Sequence, residues 1–291
     1  MQSKPRFLTQ LILFLVLGLS ACASFLNSST PTPELPTFTP EPPTATPPPS
    51  VAIVNGEYIT SAEFQAELER YQAAQTALGN TVSDKEAGKA VLEDLIAQVL
   101  LAQAARQANF NLTEADLQSR IDALGSADEL TQWQSAHGYD DVSFRIALKR
   151  SAEAAWMRDK IIADVPLNME QIHLRQILTY NEENARVALD QLTNGADFNE
   201  LAALYDPITL GELGWVPRGY LLAPNADEAV FALQAGETSG IIATDAGFHI
   251  FKALERGNHP LSSDALLTMQ ELALTNWIAE MRASSDIILA P

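Results

Sequence analysis

Taken as a string of apolar and polar positions, the chain changes period several times. Val51-Ala-Ile-Val-Asn-Gly-Glu-Tyr-Ile-Thr60 places two short apolar runs either side of Asn55-Gly56. That dipeptide supplies the positive φ values of a type I′ turn, so a small hairpin is predicted. Thr60 and Glu63 stand three residues apart, as a capping box at a helix start requires, and Ser83 with Glu86 repeats the pattern. The helix after Ser83 carries Val91, Leu95, Val99 and Ala102 on one stripe, widened by Leu92, Ile96 and Leu100. Further helices are predicted from near Thr113, from Ser126 to Gly138, and from about Asp140 to Val165, where Pro166 stops the pattern.

Beyond Pro166 the period shifts towards that of strands. Ile172 to Leu178 is strand-like; Glu182 to Thr193 and Asp197 to Tyr205 are helical; Gly214 to Val216 is extended; Asp227 to Leu233 is helical. Ile241-Ile-Ala, a turn at Asp245-Ala-Gly and the strand Phe248 to Leu254 complete a β-α-α-β-α-β-β unit. The fold class is therefore α+β. After Pro260, Ser262 or Ser263 can cap a last helix whose Leu266, Met269, Ala273, Trp277 and Met281 form an apolar face. That face needs cover, and the largest candidate is the helical half.

The start of the chain follows a different logic. Lys4 and Arg6 precede an apolar run from Phe7 to Leu19, which reads as a signal peptide over residues 1–21. Leu19-Ser-Ala-Cys22 resembles the lipobox of bacterial lipoproteins, in which the cysteine receives a diacylglyceryl thioether. Cys22 is the single cysteine, so no internal disulfide is possible. From Ser28 to Ser50 the chain is almost entirely Pro, Thr, Ser and Glu, a composition that cannot bury a core and that favours an extended stalk. The expected partner on this side is a membrane, through the lipid anchor. A formal net charge of −19 argues against nucleic acid, whose phosphates would be repelled.

Gly195-Ala-Asp-Phe198, Gly211-Glu-Leu-Gly-Trp215, Arg218-Gly219, Ala229-Val-Phe-Ala-Leu233, Gly236-Glu-Thr-Ser239 and Gly247-Phe-His-Ile250 together resemble the parvulin family of peptidyl-prolyl isomerases in order and spacing. The region from Val54 to Phe64 and the helices after it resemble the chaperone domain of bacterial extracytoplasmic foldases of the SurA and PrsA type. The resemblance implies residues 22–50 as lipidated cysteine and linker, 51–165 as a helical chaperone domain, 166–257 as an inserted parvulin-like domain, and 258–291 as a C-terminal helix packing back on the helical domain. It also implies unfolded or exported polypeptides containing X-Pro bonds as partners. Twisting an X-Pro amide needs no cofactor and no metal. The four histidines are too scattered, and lack companions at ligand spacing, for a metal site.

Parvulins carry two histidines inside the site. By resemblance the second is His249, and Gln176 stands where the first would be. His173 is an odd number of residues from Gln176, so in a regular strand it faces the other way. Asp206 matches the family's polar Cys/Asp position, in a loop shorter than usual. Leu221 or Leu222 fills an apolar substrate-binding position, and Phe231 matches a family aromatic. Two functions follow from these matches: a membrane-anchored foldase that isomerises X-Pro bonds, or a peptide-binding chaperone whose parvulin domain no longer catalyses.

Overall fold

The structure is a computed structural model that describes residues 47–290. The signal peptide, Cys22 and residues 28–46 of the stalk lie outside the described residues. The described chain opens with β1 (Ser50–Val54) and β2 (Glu57–Thr60), joined at Asn55 (φ 50°) and Gly56 (φ 84°) as a type I′ turn demands. Then come α1 (Ser61–Ala77), α2 (Asp84–Gln107), α3 (Glu114–Asp122), α4 (Ala127–Ala136) and α5 (Asp141–Ala163). Ser83, Thr113, Ser126 and Asp140 each cap a helix reciprocally with the residue three positions on. Thr60 is the exception. Its hydroxyl accepts from the Glu63 amide, but the Glu63 carboxylate is taken by Arg150 of α5, so the expected box is half built. The α2 stripe is buried as its period predicts, with Val91, Leu95, Ile96, Val99 and Leu100 forming one core with the hairpin's Val54 and Ile59.

The second half runs β3 (Asn168–Thr179), α6 (Glu182–Thr193), α7 (Phe198–Tyr205), β4 (Glu212–Pro217), α8 (Pro224–Ala232), β5 (Ile242–Thr244) and β6 (Gly247–Pro260). This is the β-α-α-β-α-β-β order read from the sequence. Its sheet is antiparallel in the order β4-β3-β6-β5. One face buries Ile177 and Ile250 beneath Ala188 of α6 and Phe198, Leu201 and Ala202 of α7. The other buries Leu174, Phe251 and Ala253 with Val230 and Phe231 of α8. Several elements exceed their expected bounds. α8 begins at Pro224 rather than Asp227, because a proline at the first helical position loses no hydrogen bond. β3 and β6 continue past the compact unit until Asn168 pairs with Pro260, forming a two-stranded ribbon.

The chain ends with α9 (Ser263–Ser284), capped by Ser262, and β7 (Ile287–Leu289). β7 was not foreseen; it adds to the free edge of β1, giving a sheet ordered β2-β1-β7. The apolar face of α9 divides between two neighbours. Ala273 and Trp277 pack with Leu101, Ala154 and Ile161 of the helical half, and Met281 reaches the α2 core. Met269 and Leu272 instead face the loop after β4, where a Cβ placed on Gly219 would come 2.8 Å from Leu272 Cδ2. Among the described residues, no helix is long and apolar enough to cross a membrane.

Candidate active site

Strand alternation puts Leu174, Gln176 and Leu178 on one side of β3. In the β3–β6 ladder Gln176 lies opposite Phe251 and Leu178 opposite His249, so Gln176 and His249 are diagonal neighbours on that side. Their side chains meet: Gln176 Oε1 is 2.9 Å from His249 Nδ1. The second imidazole nitrogen, Nε2, is 2.8 Å from Thr244 Oγ1, which the β5–β6 hairpin folds back beside it. The His249 ring lies nearly parallel to Phe251, with centroids 5.3 Å apart and planes 8° apart. At 9% exposure, His249 is in an environment that disfavours its charged form, and burial lowers its pKa from the ordinary histidine value. A neutral imidazole has one donor and one acceptor. With Gln176 Oε1 accepting, Nδ1–H donates to it and Nε2 accepts from the Thr244 hydroxyl.

Thr244 was missed in the sequence because nothing local ties it to His249; only the hairpin register does. A further constraint sits beneath Gln176, whose backbone N–H donates to the Gly211 carbonyl at 2.8 Å. Gly211 has φ +71°, a left-handed conformation in which glycine escapes the penalty other residues meet.

The apolar side of the site begins at Phe251. It belongs to one cluster with Phe231, Val230 and Val216, against which Leu221, Tyr220 and Ile242 pack. The Arg218 guanidinium lies 4.3 Å from the Phe231 ring centroid. Of the two leucines considered from sequence, Leu221 joins this cluster, whereas Leu222 is 100% exposed and lies outside it. Leu222 precedes the first turn of α8 with its side chain in solvent, so of the two only Leu221 packs against this cluster.

Asp206 is held within its own loop. It ends α7, and its carboxylate accepts from the amides of Ile208 and Thr209 and from the Thr209 hydroxyl. These hydrogen bonds, that of the Thr209 side chain first, hold its pKa below the ordinary value. Among the described residues none of its hydrogen bonds reaches Gln176 or His249. A short loop leaves its own amides for the carboxylate to satisfy, and that is where the carboxylate is held.

His173 faces away, as alternation predicts. Its Nε2 is 2.6 Å from Glu212 Oε1, and its ring stacks on Trp215 at 5.2 Å. Arg175 Nε donates to the other Glu212 oxygen at 2.9 Å. Burial opposes ionisation of Glu212, but hydrogen bonds from Arg175 and His173 outweigh it and lower its pKa. The ladder is irregular on both sides of Leu174, yet the irregularities do not bring His173 round to His249.

Two stretches of the chain match known families. Residues 9–140 match the family described as SurA-like N-terminal domain, and residues 177–255 match the PPIC-type PPIase domain. The foldase protein PrsA of Caldanaerobacter subterraneus subsp. tengcongensis is 28% identical over 229 residues, covering 70% of this chain and 72% of that protein. The chaperone SurA of Thiobacillus denitrificans is 31% identical over 155 residues, 46% of this chain but only 35% of that protein. A crystal structure of peptidylprolyl isomerase PrsA from Bacillus cereus aligns with a TM-score of 0.43 at 17% identity, covering 79% of this chain and 85% of that one.

Proposed function

We propose that this chain, which unites a SurA-like N-terminal domain with a PPIC-type rotamase domain, is a lipid-anchored extracytoplasmic foldase that isomerises X-Pro bonds in exported polypeptides. The observation that carries the reading is the Gln176–His249–Thr244 relay lying against Phe251, at the margin of the apolar cluster of Phe231 and Leu221. An X-Pro bond resists rotation because its amide must lose resonance, and unaided it takes tens to hundreds of seconds. A twisted amide is less charge-separated than a planar one. Apolar walls that strip water from the prolyl ring therefore favour the twisted form, and Phe231 and Leu221 are the residues to supply them.

The polar groups then have a positioning task. His249 is held by Gln176 on one nitrogen and Thr244 on the other, so its ring is fixed before substrate arrives. Asp206, occupied with its own loop, acts from the periphery of this arrangement. Gln176 replaces an ionisable residue with an amide that cannot titrate, which leaves His249 as the one titrating member of the relay.

The same replacement favours a second reading, in which the domain holds peptide without turning it over. A protease-coupled isomerisation assay on the full-length chain separates the two. Turnover above background that His249→Ala reduces supports the enzyme. No turnover on several X-Pro peptides, with aggregation of an unfolded client still suppressed, leaves the chaperone.

The anchor rests on Leu19-Ser-Ala-Cys22, its upstream apolar run and the stalk after it. Two acyl chains suffice for stable attachment where one is marginal. Cys22→Ser should release the protein from membranes or leave its precursor uncleaved; unchanged processing and fractionation would overturn the anchor.

A further inference from the structure

We infer that Leu272 of α9 is a positioning residue of the isomerase site: it props the loop between β4 and α8 so that Leu221 stays against Phe231. The inference rests on the reading of Leu221 as an apolar wall for the prolyl ring. It adds to that reading a part for α9, a helix outside the rotamase unit, in setting the wall.

The loop from Arg218 to Ala223 has little of its own to fix it. The Gly219 N–H donates to Asp227 Oδ1 of α8 at 2.8 Å, and the Tyr220 N–H donates to the Pro217 carbonyl at 3.2 Å. Among the described residues the backbone of Leu221 and Leu222 makes no hydrogen bond, so packing decides where Leu221 stands. On one side Leu221 packs with the cluster of Val230, Phe231 and Phe251. On the other side the loop meets α9.

That meeting is close. Gly219 has φ +86°, and a Cβ placed on it would come 2.8 Å from Leu272 Cδ2 and 4.0 Å from Met269 Cε. Glycine meets both demands, having no Cβ to clash and no penalty for a positive φ. Asp227, itself buried, holds the same glycine from α8, so Gly219 is clamped between two helices two residues before Leu221. A cavity of about 620 Å³ flanks the contact, lined by Leu221, Leu222 and Asp227 and, from α9, by Thr268, Leu272 and Thr275. The loop therefore has room to shift once Leu272 is shortened.

α9 is a firm support because its other face is fixed elsewhere. Ala273, Leu274 and Trp277 pack with Leu101, Ala154 and Ile161 of the helical half. Leu272 and Leu274 thus serve different neighbours, and this separates support of the loop from anchoring of the helix. A wall held in place before substrate arrives needs no reordering when the prolyl ring docks.

The test compares Leu272→Ala, Leu272→Met and Leu274→Ala in the full-length chain. The readouts are kcat/KM on an X-Pro peptide, the methyl NMR signals of Leu221 and thermal unfolding. Leu272→Ala should shift the Leu221 signals and lower kcat/KM by about fivefold, as a displaced wall fits the prolyl ring less well. Leu272→Met, of similar volume, should restore both. Leu274→Ala should lower the unfolding temperature yet leave kcat/KM and the Leu221 signals unchanged, a split that a merely structural role for α9 does not produce. Leu221 signals that stay put in Leu272→Ala, kcat/KM that stays put while they shift, or equal effects from Leu274→Ala overturn the proposal. Should the wild type fail to turn over X-Pro peptides, the isomerase reading falls, and the Leu221 signals with the Kd of an X-Pro peptide then decide whether Leu272 sets the wall.

Discussion

Gly211 lies so close beneath Gln176 that a Cβ built on it would stand 2.1 Å from the Gln176 carbonyl oxygen. The atom in the way is backbone of β3, fixed by the strand's pairing with β6 on its other side, so it cannot swing aside as a side-chain end could. Gly211→Ala combines this overlap with a left-handed φ and should destabilise the protein by about 2 kcal/mol or more. Thermal unfolding would record it. Isomerase activity should fall with it, since the displaced residue carries the partner of His249. An unchanged melting curve would mean the loop accommodates the methyl group elsewhere.

Thr244→Val keeps the shape of the side chain but removes the donor to His249 Nε2. Loss of one hydrogen bond to a buried ring should lower stability by about 1 kcal/mol. Turnover should drop by about fivefold to tenfold, as the ring loses one of its two fixings. Thr244→Ser keeps the hydroxyl and should recover most of that turnover. A role in hairpin packing alone would be unaffected by the difference between Val and Ser at the level of turnover.

The pH dependence has a definite sign. Burial holds the His249 pKa below the ordinary histidine value, so the folded state prefers the neutral ring. Its contribution to stability is fully present above the unfolded-state pKa and is lost as pH falls through the lower, folded value. Activity that depends on the neutral ring should fall in the same window. An NMR titration of the His249 ring should give a midpoint below that of a free histidine. Gln176→His should raise turnover and add a second titrating group; a profile unchanged by that substitution would remove Gln176 from the site.

Arg106 bridges Glu57 at 2.6 Å and the fully buried Glu153 at 2.6 Å. Arg106→Met should cost about 3 kcal/mol, because it leaves a carboxylate uncompensated in the interior. Adding Glu153→Gln should restore part of that loss, as the stranded charge disappears. Chemical denaturation of the two single variants and the double variant measures the coupling.

What the sequence disclosed was the structure decided within a few residues. Asn55-Gly56 sets its turn by backbone preference, and Ser83, Thr113 and Ser126 cap helices through neighbours three positions away. The α2 stripe and the β-α-α-β-α-β-β order are periodic and so visible in the same way. Features decided at a distance were hidden. Ile287–Leu289 is too short to show a period and is a strand only because β1 offers an edge. Glu63 has the right spacing for a capping box, but Arg150, 87 positions later, takes its carboxylate. Met269 looked like one face with Trp277 until the Gly219 loop came up beside it. In the site, Gln176 and His249 were legible through family resemblance and strand parity. Thr244 needed the hairpin register, and the involvement of Asp206 with Thr209 needed the loop's own geometry.

The ribbon in which Asn168 pairs with Pro260 has a consequence for how the chain can be edited. Partners across an antiparallel ladder lie about 5 Å apart, a gap that a two-residue turn can close. The whole segment between them is therefore a cassette with a single seam. Cutting it out and joining the stumps through Asn-Gly leaves α5 and α9 at their original separation, and any other module whose ends leave side by side could be spliced into the same place.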